Sequence, residues 1–406
     1  MNNYTVDDID LKTLRLDIDS PFLAIPLASG TYPKNIYTKV TTTVRDKYGT
    51  PLRKAKIFVS SLDELQFDAV TIYDRDNTTK IKIQPQGQYK GFIVETNESG
   101  NILFFVHPIK SVGSKLNLFA QILGLTDPIA AMHTIYIVDK NLDELEEKYP
   151  EPQILNLLGL GLKSDGSSKF YVKISYDNPK SGDSILFFVN KEYTKKVIKI
   201  LQGSDLQSYF ELPYIIFNEN KLLHLSFVVI KEIGSIDNYK SRPLTFTYKG
   251  RPNKPWTDVI RTYEACTVYN SSGRGPMDQY SIINDDAILT ATTDDPGLFV
   301  KVTGTNDPTD TSKVPFGTEI KLNLYITSST RTFITSFTGR VPTNPDDEGG
   351  KTATLTISIP YNLLNNNLGY QDGNDGLIFF DYQIGNDLDP DVVYGNIWQG
   401  YIDTYP

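Results

Sequence analysis

The chain has 406 residues and a formal net charge of −9, with its basic residues scattered among acidic ones. That balance supplies no clustered Lys and Arg for neutralising phosphates, which excludes nucleic acid as a general partner. A lone cysteine, Cys266, excludes an intrachain disulfide and a cysteine metal cluster, and 39% hydrophobic residues exclude wholesale disorder.

Tyr (25) and Phe (20) are plentiful while Met and His (3 each) are scarce. Aromatic and β-branched residues separated by Asn, Asp, Gly and Pro suit strands and tight turns, so the expected fold class is all-β. The opening "MNNYTVDDIDLKTLRLDIDSPF" lacks a basic start followed by an apolar stretch and does not read as a Sec signal peptide. No run approaches the roughly 18 apolar residues of a membrane span. On this reading there is no membrane insertion, and the protein is cytoplasmic or exported by a non-Sec route.

Residues 1–36 contain the alternating stretch "LRLDID" and read as an N-terminal arm or edge strand. A first module spans 37–140. In it "KVTTTVRDKYGTPLRKAKIFVSS" alternates apolar and polar residues around a turn, and "GFIVETNESGNILFFVHP" repeats the device. The charged segment "DKNLDELEEKYPEPQ" opens a linker over 141–165, with one helical turn expected through Leu142 to Tyr149. Such a connector would let the first module fold alone.

A second module is expected over 166–250, a packed connector over 251–286, and a third module over 287–406. The second and third run in parallel: "KFYVKISYDNP" matches "LFVKVTGTNDP", "YFELPYIIF" matches "LTISIPYNLL", and "HLSFVVIK" matches "IFFDYQIG". Duplication is the economical reading. Pro213 and Pro360 cannot donate to a ladder, so each marks where a strand leaves its sheet. Tyr214 and Tyr361 would then cover the core as the chain crosses to the other sheet of a sandwich. The connector holds Trp256, Ile260, Tyr263 and Cys266, too apolar for a free linker.

Two turn signals in the first module carry a resemblance. Asp46, Gly49, Pro51 and Leu52 form a D-x-x-G-x-P-L turn, and Thr96, Asn97 and Gly100 form a later T-N-x-x-G turn before an apolar strand. Their order resembles that of the bacterial immunoglobulin-like modules of the intimin and invasin adhesins. A long insert between the turns departs from that pattern. The strand–corner–strand order of the later modules is similar to Ig-like repeats of large bacterial adhesins. The resemblance implies tandem Ig-like β-sandwich domains arranged as an elongated rod.

Chemistry is sparsely encoded. Nucleophilic catalysis needs a base beside Ser or Cys, yet only His107, His133 and His224 occur, each in or beside an apolar strand or loop. "GLGLKSDGS" lacks the spacing of a phosphate-binding loop. "TNDPTDTS", "NPDDEGG", "DGNDG" and "NDLDPD" read as turns, because none has the acidic spacing of an EF-hand loop. The expectation is therefore no enzyme, no cofactor and no metal. Tyr394, Trp398 and Tyr401 in "VVYGNIWQGYIDTYP" are the candidate binding residues, an aromatic platform if they face outward. The expected function is non-catalytic binding or adhesion at a bacterial or host surface, with a protein or carbohydrate ligand. The alternative is a self-associating structural protein: an intracellular inclusion, a fibre or an injected virulence component.

Overall fold

The computed structural model describes residues 5, 8–25, 36–61, 64–87, 89–109, 114–139, 145–231, 239–290, 292, 295–386 and 392–405. The fold is all-β and multi-domain, with short helical turns between strands. It divides into two compact units. One comprises Met1–Gln153, Lys173–Ser208 and His224–Leu244; the other comprises Ile154–Val172, Tyr209–Leu223 and Thr245–Pro406.

In the first unit, the N-terminal 150 or so residues build a sandwich. One sheet orders Asp17–Ile18, Thr38–Thr43, Asn101–Pro108 and Val70–Asp74; the other orders Ile129–Ala130, Phe119–Ile122, Lys56–Ser61, Tyr89–Glu95 and Gln84–Gln86. The alternation in "LRLDID" sends Leu14, Leu16 and Ile18 into the core, so the leader supplies an edge strand rather than a loose arm. The insert between the two turn signals supplies Val70–Asp74 and Gln84–Gln86, and its Phe67 meets Phe92 edge-on at 6.0 Å.

The two turn signals form one device. Asp46 accepts from the amides of Tyr48 and Thr50, and Asn97 accepts from those of Ser99 and Asn101. Between them the buried Thr96 hydroxyl donates to the Leu52 carbonyl at 2.6 Å and accepts from the Ala55 amide at 2.9 Å. Gly100 closes the lock: its φ is +75°, and a side chain there would press on the Val44 carbonyl.

A third sheet of this sandwich runs Phe22–Ile25, Ile135–Asp139 and Ser114–Leu116, the first two parallel. Its Tyr136 and Val138 are buried against Leu186, Phe188, Val228 and Ile230, one face of a sheet formed later in the chain. Phe22 stacks on Tyr193 at 4.1 Å, and the Lys115 ammonium donates to the Gly182 carbonyl at 2.7 Å. Burying an apolar side chain of this size is worth about 1.5–3 kcal/mol. The N-terminal sandwich thus shares an apolar contact with the sheet that follows its charged linker.

That linker is itself largely structured. Residues 141–144 lie outside the described residues. Where a helical turn was expected, Glu147–Tyr149 is a strand parallel to Tyr239–Ser241. Tyr149 fixes it there, its ring 5.7 Å from Tyr176, 6.1 Å from Phe227 and 6.0 Å from Tyr239. The path Glu147–Tyr149, Tyr239–Ser241, Leu222–Ile230, Ser184–Val189, Glu192–Lys199 follows. Its last hairpin turns through Asn190 and Lys191 at φ 50° and 70°, as a two-residue connection requires.

The second unit holds the C-terminal sandwich. One sheet follows the path Arg261–Tyr263, Val393–Gly395, Gly376–Ile384, Glu319–Thr327, Thr332–Arg340. The other pairs Thr267–Asn270 with Pro296–Thr305, and the latter with Thr352–Pro360. Much of the expected connector over 251–286 therefore consists of this sandwich's opening strands. Trp256 and Cys266 are buried and Tyr263 is half-buried, but Ile260 is exposed.

The correspondence between the two later modules extends further toward the N-terminus than the matched motifs. Glu147–Tyr149 and Arg261–Tyr263 each run parallel to a late strand, and each ladder carries a register shift at the middle residue. Gly161–Leu162 runs parallel to Leu244–Tyr248, as Ile282–Ile283 does to Trp398–Ile402. Lys169–Lys173 pairs with Phe210–Pro213, as Pro296–Thr305 pairs with Thr352–Pro360.

The two Pro-Tyr corners share geometry and differ in chemistry. Pro213 precedes the 3-10 turn Tyr214–Ile216, and Pro360 precedes the helical turn Tyr361–Leu364. The first corner is aromatic: Tyr214 stacks on Tyr248 at 5.3 Å, and Phe217 lies 4.8 Å from Phe170 and 5.1 Å from Phe246. The second is capped by polar groups. Arg331 donates to the Leu363 and Asn365 carbonyls, and buried Asn367 donates to that of Leu364 at 2.7 Å. Leu364 is buried there, while Tyr361 is only half-buried.

Tyr214→Ala and Leu364→Ala should therefore each cost roughly 3 kcal/mol, the scale of a buried large-to-small change. Tyr361→Ala should cost clearly less. Urea denaturation midpoints decide this, and equal losses at Tyr214 and Tyr361 would contradict the division of labour between the corners.

Candidate interaction surfaces

The expected aromatic platform is not assembled. Tyr394 and Trp398 are 3% and 2% exposed, and Tyr401 is half-buried. The Trp398 ring lies 5.8 Å from Phe380, and its Nε1 donates to the Met277 carbonyl at 3.4 Å. Next to Tyr394, Gly395 faces the Tyr382 ring so closely that any side chain there would collide with it. Trp398 joins the sandwich core, whereas Tyr394, paired with Gln383, is buried on the other face of the sheet with the Arg261 guanidinium 5.6 Å from its ring.

On that face, turned away from the core, lies a buried polar cluster. Asp381 is fully buried, and its carboxylate accepts from Arg261 Nη2 at 2.9 Å, Asn323 Nδ2 at 3.0 Å and the Tyr325 hydroxyl at 3.3 Å. Arg261 also donates to the Gly395 and Trp256 carbonyls. Strand alternation explains the segregation. Ile320, Leu322, Leu324 and Ile326 enter the core, which leaves Asn323 and Tyr325 on the other face.

The preceding chain covers this face. The Arg251 guanidinium lies 3.8 Å over the Trp256 ring and 5.4 Å from that of Tyr325. Asn253 donates to the Ile326 carbonyl and the Thr327 hydroxyl. Immediately beyond, the Thr257 amide donates to the Gly166 carbonyl, and Asp258 accepts from the Ser168 amide at 2.7 Å.

Several other chemistry-bearing groups among the described residues are held structurally, while His133 and His224 lie exposed on the surface. His107 Nε2 meets Asn77 Oδ1 at 2.6 Å, its ring packs against Tyr37 and Tyr73, and burial pushes its pKa down. Burial pushes the Cys266 thiol up, with the Asp381 charge adding to the effect, which keeps it from the reactive thiolate form. In the Asp-rich loops, Asp307 accepts from Thr309 and Lys351, Asp310 from Ser312 and Lys313, and Asp372 from the Asn374 amide. These bonds hold the three carboxyls below the usual range. Of "NDLDPD", residues 387–391 lie outside the described residues.

Surface features open to contact among the described residues include two. One is an open cleft of about 570 Å³ whose lining includes Lys54, Arg75, Asp74, Glu95 and Glu98, a mixed-charge rim. The other is an apolar loop. Leu158 and Leu160 are 82% and 67% exposed, and beside them Leu155 and Tyr171 are exposed as well. Backbone bonds hold this loop firmly: the Leu155 amide donates to the Tyr171 carbonyl at 2.9 Å, and the Thr247 amide donates to that of Leu160 at 2.7 Å. Asn156 and Gly159, at φ 65° and 60°, turn the chain between those anchors. The sequence signal was "ILNLLGLGL", an apolar run without strand or helix period beside glycines.

No protein-family model and no curated protein matches the chain. Solved structures similar to it include the D0-D1 domain of intimin, 13% identical, covering 59% of this chain and 98% of that one, with a TM-score of 0.23. The BSP domain of a biofilm-associated protein is 9% identical, covers 100% of this chain and 68% of that one, and has a TM-score of 0.21. InvD of Yersinia pseudotuberculosis is 12% identical, covers 95% and 96% of the two chains, and has a TM-score of 0.19. At these identities and scores none of them assigns a role to any residue here.

Removing one partner of a buried ion pair leaves the other charge uncompensated, at about 3–5 kcal/mol. Asp381→Ala should lose that much, whereas a salt bridge in solvent such as Arg340–Glu319 should contribute under about 1 kcal/mol. Chemical denaturation of Asp381→Ala and Glu319→Ala checks the contrast; similar small losses would refute the structural role of the buried pair.

Proposed function

We propose that this chain is a non-catalytic binding protein of the adhesion type, whose tandem Ig-like sandwiches present surface loops to a macromolecular ligand. One observation carries the reading: a backbone-anchored loop holds Leu158 and Leu160 in solvent. Exposing large apolar side chains on a rigid loop is costly for solubility, and such patches mark contact sites. The chemistry favours a protein ligand over a carbohydrate. Sugar rings are gripped by flat exposed aromatics, whereas the most exposed side chains of this loop, Leu158 and Leu160, are aliphatic. The loop's aliphatic tip suits an apolar recess on a protein surface instead.

Beads coated with the protein should attach to immobilised cell-surface protein, and less to purified polysaccharide. The double variant Leu158→Asp/Leu160→Asp should fold normally and lose about tenfold or more in affinity, the effect of some 1.4 kcal/mol of contact energy. Attachment that is absent in the parent, or unchanged in the variant, would contradict the reading.

A further inference from the structure

We propose that the edge strand Thr332–Arg340 pairs antiparallel with the same strand of a second copy of this chain, giving a closed twofold dimer. The proposal stands apart from the adhesive reading, because it involves neither Leu158 nor Leu160.

Thr332–Arg340 ends its sheet, and it pairs with Glu319–Thr327 over its whole length without a bulge. Two bonds bracket that ladder: the Ser328 amide donates to the Arg331 carbonyl, and the Val341 amide to the Thr318 carbonyl. Hydrogen-bonded pairs alternate along an antiparallel ladder. Phe333, Thr335, Phe337 and Gly339 therefore spend their backbone groups on the neighbouring strand. Thr332, Ile334, Ser336, Thr338 and Arg340 direct theirs outward, and these five are the exposed positions of the strand.

An open edge of this kind is a template for strand addition, and proteins usually blunt it. The corresponding terminal strand of the middle module, Glu192–Lys199, is blunted. It has a register shift, a left-handed Lys195 at φ 61°, and lysines at 195, 196 and 199. Thr332–Arg340 contains no lysine, proline or acidic residue. Its single charge, Arg340, is already paired with Glu319 at 2.8 Å. Of two copies of one edge, only this one is left usable.

The sequence of the edge fits itself. With Ser336 on the twofold axis, Thr332 faces Arg340 of the second copy, Phe333 faces Gly339, Ile334 faces Thr338 and Thr335 faces Phe337. No like charges meet, and the bulky Phe333 falls opposite a glycine. Each outward residue then sits in a hydrogen-bonded pair, and inward side chains continue the inward face of the partner sheet. Such a contact closes on itself and leaves no free edge at this position. A strand pair without a large flanking surface gives a concentration-dependent dimer rather than an obligate one.

Sedimentation equilibrium of the full chain over a concentration series tests this. The parent should rise from one to two copies and stop there. Ile334→Lys and Thr338→Pro alter outward positions without touching the ladder to Glu319–Thr327, so both should stay at one copy with unchanged circular dichroism. Ser336→Cys should form a covalent dimer under mild oxidation, since residues opposed in a hydrogen-bonded pair lie about 5.5 Å apart at Cα. A parent that remains single at every concentration would overturn the proposal. So would a dimer that survives both edge variants, or an assembly that grows beyond two copies.

Discussion

A sandwich sheet has two faces, and only one of them is buried by its own sandwich. What happens at the other face governs most of this molecule. In the first unit, Leu186, Phe188, Val228 and Ile230 make that second face apolar, and the strand bearing Tyr136 and Val138 covers it. In the C-terminal sandwich the equivalent sheet carries Asn323, Tyr325 and Asp381, and the segment with Arg251, Trp256 and Arg261 lies over them. Each face is covered, one by hydrophobic contact and the other by a satisfied ion pair. Leaving either bare would expose apolar surface or strand a buried charge.

The same contrast runs through the matched elements of the two later modules. The corner at Pro213 is filled with stacked rings, while that at Pro360 ties its carbonyls to Arg331 and Asn367. The edge at Glu192–Lys199 is interrupted and basic, while that at Thr332–Arg340 is continuous and almost uncharged. One backbone plan thus accepts different side-chain solutions wherever hydrogen bonds are satisfied and volume is filled.

Turn chemistry made much of the fold legible in advance. The Asp46 and Asn97 turns, the Pro-Tyr corners and the alternation after them were all local signals. Glu147–Tyr149 and Arg261–Tyr263 were not legible, because each is a three-residue parallel strand with a register shift and a partner far along the chain. Local composition there reads as linker, and pairing across that distance leaves no periodic trace. Tyr394 and Trp398 were misplaced for a related reason: alternation reveals that a strand has two faces, but not that Trp398 meets the core and that Arg261 covers Tyr394 on the other side. The apolar run around Leu158 lacked any period, so its exposure became evident only once the strands on either side were in place.

Amide hydrogen exchange across Glu147–Tyr149 and Arg251–Tyr263 tests most directly whether these segments are structural parts of the sheets and their coverings. The account predicts slow exchange at both, approaching that of the core strands, with protection at Arg261–Tyr263 sharply reduced in Asp381→Ala. Exchange at the rate of an unstructured chain in either segment would contradict it, and would return both to the status of flexible linkers.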